Sequence, residues 1–275
     1  APKANTAEPV DLILVQPALS WRSVWYSFEN NYLSKQNLGK LVSLSKQAAL
    51  SFPTATLIWP EMSVVGTGLT NKTVTETLNK IPWCNNLVLG AKDLGNNSLV
   101  SLNRHSRKLS RYNKSRLIPF FETDKILPGN ISAPVPIGND RQKLGAYICY
   151  ENLFPQVSRE LVRQGAEFIG CISFNTWLGT TNWPLLQMAY VTFRAAENNR
   201  YAFYLNNNGP SLAVEPSGRI IGNIPFGSPG YLCFKAQSIS VRTFYSEHGD
   251  LFVLWMSLLT LLMLFWERRV SVVGK

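Results

Sequence analysis

Three residues of this chain are of types that together can transfer an acyl group without a histidine: Glu61 in "LIWPEMSV", Lys114 in "RYNKSRLIPF" and Cys149 in "YICYENLFP". A thiol attacks carbonyl carbon as its thiolate, and an ordinary cysteine holds only a minor thiolate fraction at neutral pH. A nearby carboxylate can take the thiol proton and return it to a leaving group. A lysine favours the thiolate and the oxyanion of a tetrahedral intermediate. Each residue also has a plain structural role. Glu61 after "WP" suits a solvated turn or helix start, Lys114 a basic surface, and Cys149 a buried small hydrophobe closing a strand. Residue types and spacing leave both readings open.

The elements that must position these residues are legible as runs. Short apolar, β-branched stretches at 10–16, 54–59, 86–92, 145–150 and 167–174 predict strands. Longer amphipathic stretches at Phe28 to Leu50, Asn71 to Lys80, Pro155 to Gln164 and Trp183 to Asn198 predict helices. Their interleaving predicts a layered α/β domain, with no repeat or low-complexity linker to divide it. Glu61 and Cys149 each follow a predicted strand, where α/β folds gather their chemistry.

At 275 residues and 45% apolar, the chain is long enough to bury a substantial core. Its net charge of +10 is scattered. The densest basic group, Arg104, Arg107, Lys108, Arg111, Lys114 and Arg116, has no nucleic-acid-binding motif beside it, and an anionic membrane surface attracts the same charges. No nucleic acid is expected as a partner. The four cysteines show neither C-x-x-C nor metal-ligand spacing, so no zinc is expected, and spacing cannot say whether a pair such as Cys84 and Cys233 is bonded. Only two histidines, His105 and His248, are present, which makes the usual Cys–His partnership improbable unless one folds onto Cys149.

The C-terminal run "LFVLWMSLLTLLMLFW", 251–266, carries no charge and is followed by Glu267, Arg268 and Arg269. It is short of the roughly 20 residues that span a bilayer, although 270–273 can extend it if the arginines snorkel. A buried core helix is the competing reading. A terminal membrane helix is preferred, because the run is apolar on every face and has Trp near both ends. Its basic flank then lies in the cytoplasm and the large domain outside it. The polar start, "APKANTAEPV", has no signal-peptide apolar region, so an exported domain requires a removed leader or upstream membrane segments.

At the chemical residues the sequence resembles the nitrilase, or carbon-nitrogen hydrolase, superfamily, and within it the apolipoprotein N-acyltransferases. "LIWPEMSV", "YNKSRLIPFFE", "AYICYENLFP", "FRAAENNR" and "NNNGPSLAVEPSGRI" carry the resemblance in order along nearly all of the chain, with "RTFYSEHGD" before the last helix. The resemblance implies an α/β fold, a nitrilase-like α-β-β-α sandwich in residues 1–245, then a membrane helix and short cytoplasmic tail in 246–275. It implies Glu61 as general base, Lys114 as oxyanion-stabilising cation and Cys149 as nucleophile. Glu122 is implied to support the lysine, with Tyr150 and Glu151 lining the site beside Cys149. It implies no cofactor, a phospholipid acyl donor, a lipoprotein acceptor, and residence in the bacterial inner membrane with the catalytic domain on the periplasmic side. The sequence departs from the family's pattern at several points. "FNTWLG" stands for N-D-x-W-F-G, Pro184 and Leu185 for a Gln-His pair, and Tyr204 for an arginine; the 115–148 segment is short. These departures keep open a relative with the same Glu-Lys-Cys set, acting as an amidase or in conjugation-pilus processing.

Overall fold

Alternate residues of the first strand face two different cores, and this pattern organises the molecule. In the computed structural model, Leu12 and Leu14 point into one cluster of buried side chains and Ile13 and Val15 into another. The structure describes residues 8–273 apart from 66–71, 73–75, 78, 82–83, 94, 105, 124, 131–132, 139–140 and 179–180, with side chains to residue 266. In chain order the elements are β1 (Val10–Gln16), α1 (Trp21–Tyr26), α2 (Asn31–Ser51), β2 (Thr56–Ile58), β3 (Asn86–Asp93), β4 (Asn96–Asn103), β5 (Leu109–Asn113), β6 (Val135–Ile137) and β7 (Gln142–Ile148). Then follow α3 (Pro155–Arg163), β8 (Phe168–Ser173), α4 (Trp183–Asn198), β9 (Tyr201–Asn206), β10 (Ser211–Val214), β11 (Ile220–Ile224), β12 (Gly230–Ala236), α5 (Phe244–His248) and α6 (Leu251–Val273).

The strands form two six-stranded sheets, ordered β12-β1-β2-β3-β4-β5 and β11-β10-β9-β8-β7-β6. Each has three central parallel strands, β1-β2-β3 and β7-β8-β9, flanked by antiparallel ones. One core fills the space between the sheets and continues under α3 and α4, joining Leu14, Ile58 and Val88 of the first sheet to Tyr147, Ile172 and Phe203 of the second. The other lies between the first sheet and α2, joining Ile13, Leu57 and Leu89 to Leu41 and Ala48. Each fully buried Leu or Ile contributes about 1.5–3 kcal/mol of transfer free energy, so both seams are well held. The layering is the α-β-β-α sandwich that the resemblance implied.

Local chemistry sets the boundaries. The helix predicted from Phe28 begins at Asn31, because the Asn30 side chain accepts from the amides of Tyr32 and Leu33 as an N-cap. A short helix, α1, that periodicity did not reveal precedes it, capped by Ser20. The strand predicted over 145–150 runs instead from Gln142 to Ile148. It stops there because Cys149 adopts a left-handed φ of 51°. The helix predicted over 71–80 lies largely outside the described residues. At the end of α4, Asn199 is left-handed and buried Arg200 donates to the carbonyls of Ala166, Asn198, Asn199 and Val241. These bonds cap the helix and pin the segment leading to α5. Beyond it, α6 exposes its side chains over 251–266. Among the described residues, no helix is long and apolar enough to cross a membrane.

Candidate active site

The carboxyl ends of the parallel strands in both sheets open on one cavity of about 430 Å3, lined among others by Glu61, Lys114, Glu122 and Cys149. The three residues singled out for acyl chemistry therefore converge. Two come from loops of the first sheet and the sulfur from the second.

Glu61 follows β2 in a tight turn whose backbone lies against β3. A Cβ on Gly90 would come within 2.5 Å of the Glu61 Cα, so glycine is needed at that approach. Both carboxylate oxygens of Glu61 have partners. Asn97 Nδ2 donates to Oε1 at 2.7 Å and the Phe174 amide to Oε2 at 2.7 Å. Lys114 follows β5, its amide bonded to the Asn97 carbonyl and its own carbonyl accepting from Gly129. Its side chain is fully buried, which excludes the surface-charge reading. Its Nζ lies 2.8 Å from Glu122 Oε1 and 3.4 Å from Glu61 Oε1. The Ile118 amide in turn holds Glu122 Oε2 at 2.8 Å.

The electrostatics follow from two acids and one base in a dry pocket. Burial raises the Glu61 pKa above its ordinary 4.5, and Glu122 adds to the rise, while Lys114 and the bonds from Asn97 and Phe174 pull it down. Burial alone would pull Lys114 down, but the negative fields of Glu61 and Glu122 outweigh it and keep the ammonium protonated. The Cys149 thiol is pushed up to about 12, by burial first and by Glu61 second, against the pull of Lys114. The resting sulfur is therefore a neutral thiol.

Cys149 opens a short 3-10 turn, Cys149–Leu153, directly after β7. The thiol is 4% exposed and donates to Asn175 Oδ1 at 3.2 Å. A non-glycine residue at positive φ is strained by about 1–3 kcal/mol. Met62, next to Glu61, shares that conformation at 58°. Two such residues flank the chemistry, so the turns present side chains that a regular strand would have buried.

Glu151 and Tyr150 do not line the cavity. Glu151 is fully buried and turned toward backbone. Its Oε2 accepts from the Ile148 amide, and its Oε1 from Tyr112 Oη, the Ser115 amide and hydroxyl, and the Arg116 amide. It fastens the lysine loop of the first sheet to the cysteine turn of the second. Tyr150 packs edge-on against Phe154. Of the two histidines, His248 on α5 stacks on Phe244 away from the cavity, and His105 lies outside the described residues. All four cysteines are free, and no cluster of metal-ligating side chains occurs among the described residues.

Four participants carried little sequence signal. Asn97 is a polar residue in the polar strand β4. Phe174 acts through its backbone. Asn175 and Tyr204 were visible only as departures from a pattern, yet they touch: Asn175 Nδ2 donates to Tyr204 Oη at 2.7 Å. The remaining walls are mostly apolar, including Trp25, Tyr26, Ile118, Phe174 and a stacked pair, Phe121 and Trp177, with ring centroids 4.6 Å apart, and Glu29, Lys92 and Lys125 add charge to the lining.

Comparison with known proteins shows the fold and the family of the chain. The chain is 27% identical over 269 residues to the apolipoprotein N-acyltransferase of Rickettsia typhi, covering 86% of this chain and 51% of that protein. It is 25% identical over 294 residues to that of Shewanella oneidensis, covering 91% and 54%. The chain thus spans about half the length of the curated relatives it matches. In fold it is similar to a carbon-nitrogen hydrolase of Helicobacter pylori, with TM-score 0.65, 14% identity and coverage of 83% of this chain and 89% of that one. It is also similar to an amidase mutant of Nesterenkonia, with TM-score 0.65, 16% identity and coverage of 92% and 99%. In that amidase an acetamide moiety is covalently added at the active-site cysteine. The family model for carbon-nitrogen hydrolases matches residues 22–243, the whole span that builds the pocket, and the chain belongs to the carbon-nitrogen hydrolase family.

Proposed function

We propose that this chain is the catalytic part of a membrane-bound N-acyltransferase that moves an acyl chain from a phospholipid to the terminal amine of a lipoprotein. The observation that carries the reading is the buried Glu61–Lys114–Glu122 cluster sharing an apolar cavity with Cys149. An apolar pocket with a few convergent polar groups suits a hydrocarbon chain ending in a reactive carbonyl.

In the first half-reaction Glu61 takes the thiol proton as Sγ attacks the ester carbonyl carbon. Lys114 stabilises the developing oxyanion, the S–C bond forms, the ester C–O bond breaks, and the lysolipid alkoxide leaves with the proton held by Glu61. In the second, the acceptor amine attacks the thioester carbonyl and gives a proton to Glu61. The N–C bond forms, the S–C bond breaks, and the proton returns to the sulfur. Glu122 holds Lys114 in place throughout. No cofactor is used. In this reading residues 1–245 are the catalytic domain and 246–275 a membrane helix and cytoplasmic tail. The catalytic domain is on the periplasmic side of a bacterial inner membrane. The uncharged, exposed run 251–266 of α6 supports the membrane helix.

The test is to incubate the protein in phospholipid vesicles and look by intact mass spectrometry for an acyl adduct that hydroxylamine removes. Labelling on Cys149, discharged by a diacylglyceryl-cysteine peptide, supports the reading. Acylation that persists in Cys149→Ala, or discharge to water alone, overturns it.

A further inference from the structure

The thiol proton of Cys149 is directed away from the base. Its acceptor at 3.2 Å is Asn175 Oδ1, on the loop after β8, whereas the carboxylate oxygens of Glu61 are taken up by Asn97, Phe174 and Lys114. Which end of the Asn175 amide faces the sulfur is fixed from behind. Its Nδ2 donates to Tyr204 Oη at 2.7 Å, so its oxygen is left for the thiol. Tyr204 Oη also accepts from Asn206 Nδ2 at 3.3 Å, and Asn206 Oδ1 accepts from the Asn175 amide at 3.4 Å. Asn206 is held in turn by the Ser211 hydroxyl, which donates to Gln16 of the first sheet at 2.6 Å. Asn175, Tyr204, Asn206 and Gln16 are each 1% exposed or less. Burial of the whole network holds these pairings more firmly than separate exposed bonds would be held.

We propose that Asn175, locked by Tyr204 and Asn206, is a positioning residue that parks the Cys149 proton in the resting site and holds the sulfur as a neutral thiol until an acyl group displaces it toward Glu61. The idea rests on the reading of Cys149 as nucleophile. An acceptor bonded to the neutral form of an acid favours that form, so the amide oxygen keeps the thiol protonated. The other groups facing the sulfur are Glu61 and Glu122, which oppose its ionisation, and Lys114 and the Ser173 hydroxyl, which favour it. Cys171 and Tyr204 are buried neighbours that carry no charge near neutral pH.

The experiment is alkylation of Cys149 by iodoacetamide between pH 7 and 10, in the full chain, with the modified cysteine located by mass spectrometry. Site location is needed because Cys84, Cys171 and Cys233 are also free. Asn175→Ala removes the acceptor. Tyr204→Phe keeps the ring and frees the amide to turn Nδ2 toward the sulfur. Both are expected to raise the Cys149 rate at pH 8 by about fivefold, the effect of one neutral hydrogen bond on the thiolate fraction. Both are expected to move the pH–rate curve to lower pH. Unchanged or slower labelling of Cys149 in Tyr204→Phe, with the fold intact by circular dichroism, would overturn the inference while leaving the nucleophile reading standing. Absence of Cys149 labelling in the unsubstituted chain at every pH would overturn both.

Discussion

The two sheets contribute unlike halves to the pocket. The first supplies formal charge: Glu61, Lys114 and Glu122, each acid bonded to a backbone amide and the ammonium between them. The second supplies a neutral side: a thiol, an amide and a phenol joined by hydrogen bonds. The contrast shows how a buried site can keep a thiol close to an acid cluster without giving up its proton in the resting state. Two acids share one ammonium inside one half, and the sulfur is protonated inside the other. The halves meet through two fastenings, the Phe174 amide on Glu61 and the Glu151 carboxylate on the lysine loop.

Removing the neutral half's reactive atom has the largest expected effect. Cys149→Ala should lower acyl transfer by about four orders of magnitude or more, measured as release of labelled lysolipid. A residual rate within tenfold of the parent would place the chemistry elsewhere. Glu61→Gln keeps the shape of the charged half and removes its base, so the same assay should fall by about 10²–10⁴-fold. The acidic limb of kcat/KM in the unsubstituted protein should lie above pH 4.5, because burial holds the Glu61 proton. The same proton affinity makes stability decline as pH rises from 4.5 through the raised value, since the folded state binds the proton more tightly than the unfolded one. Glu61→Gln should abolish its share of that decline in urea titrations across this range.

Lys114→Met tests the balance within the charged half. It strands two buried carboxylates and should cost about 3–5 kcal/mol, read from the shift in urea midpoint. It should also move the acidic limb further upward, because Lys114 pulls the Glu61 pKa down. A smaller effect is expected at the fastening between halves. Tyr112→Phe removes one of the donors to Glu151 and should cost about 1–2 kcal/mol while changing KM little. A large kcat loss with unchanged stability would instead assign Tyr112 to the chemistry.

How much of this was legible in the sequence depended on where each residue's information lies. β1 and α4 have the expected bounds, and β3 and β8 match within a residue, because each is a continuous apolar run or a strong amphipathic period. The hairpin strands β4, β5, β10 and β11 and the short β6 are too polar, too exposed or too brief to announce themselves by pattern. Glu61, Lys114 and Cys149 were candidates by residue type, which the resemblance sharpened; Glu122 came from the resemblance alone, and the four share one cavity. Glu151 was placed beside the sulfur by the resemblance. In the fold the turn at Cys149 rotates it toward the backbone amides of Ile148 and Arg116. Asn97, Asn175 and Tyr204 act through pairings across strands, which no window along the chain contains.

Arg200, at the start of β9, grips the carbonyl of Val241 on the segment that leads to the last helix. That makes the joint between body and tail a clamp rather than a hinge. Arg242 and Thr243 add bonds to the carbonyls of Arg163 and Glu197, so a pull along α6 is shared among α3, α4 and the residue just before β9, the strand that carries Tyr204 and Asn206. The anchorage of the tail thus reaches the strand that orients the thiol.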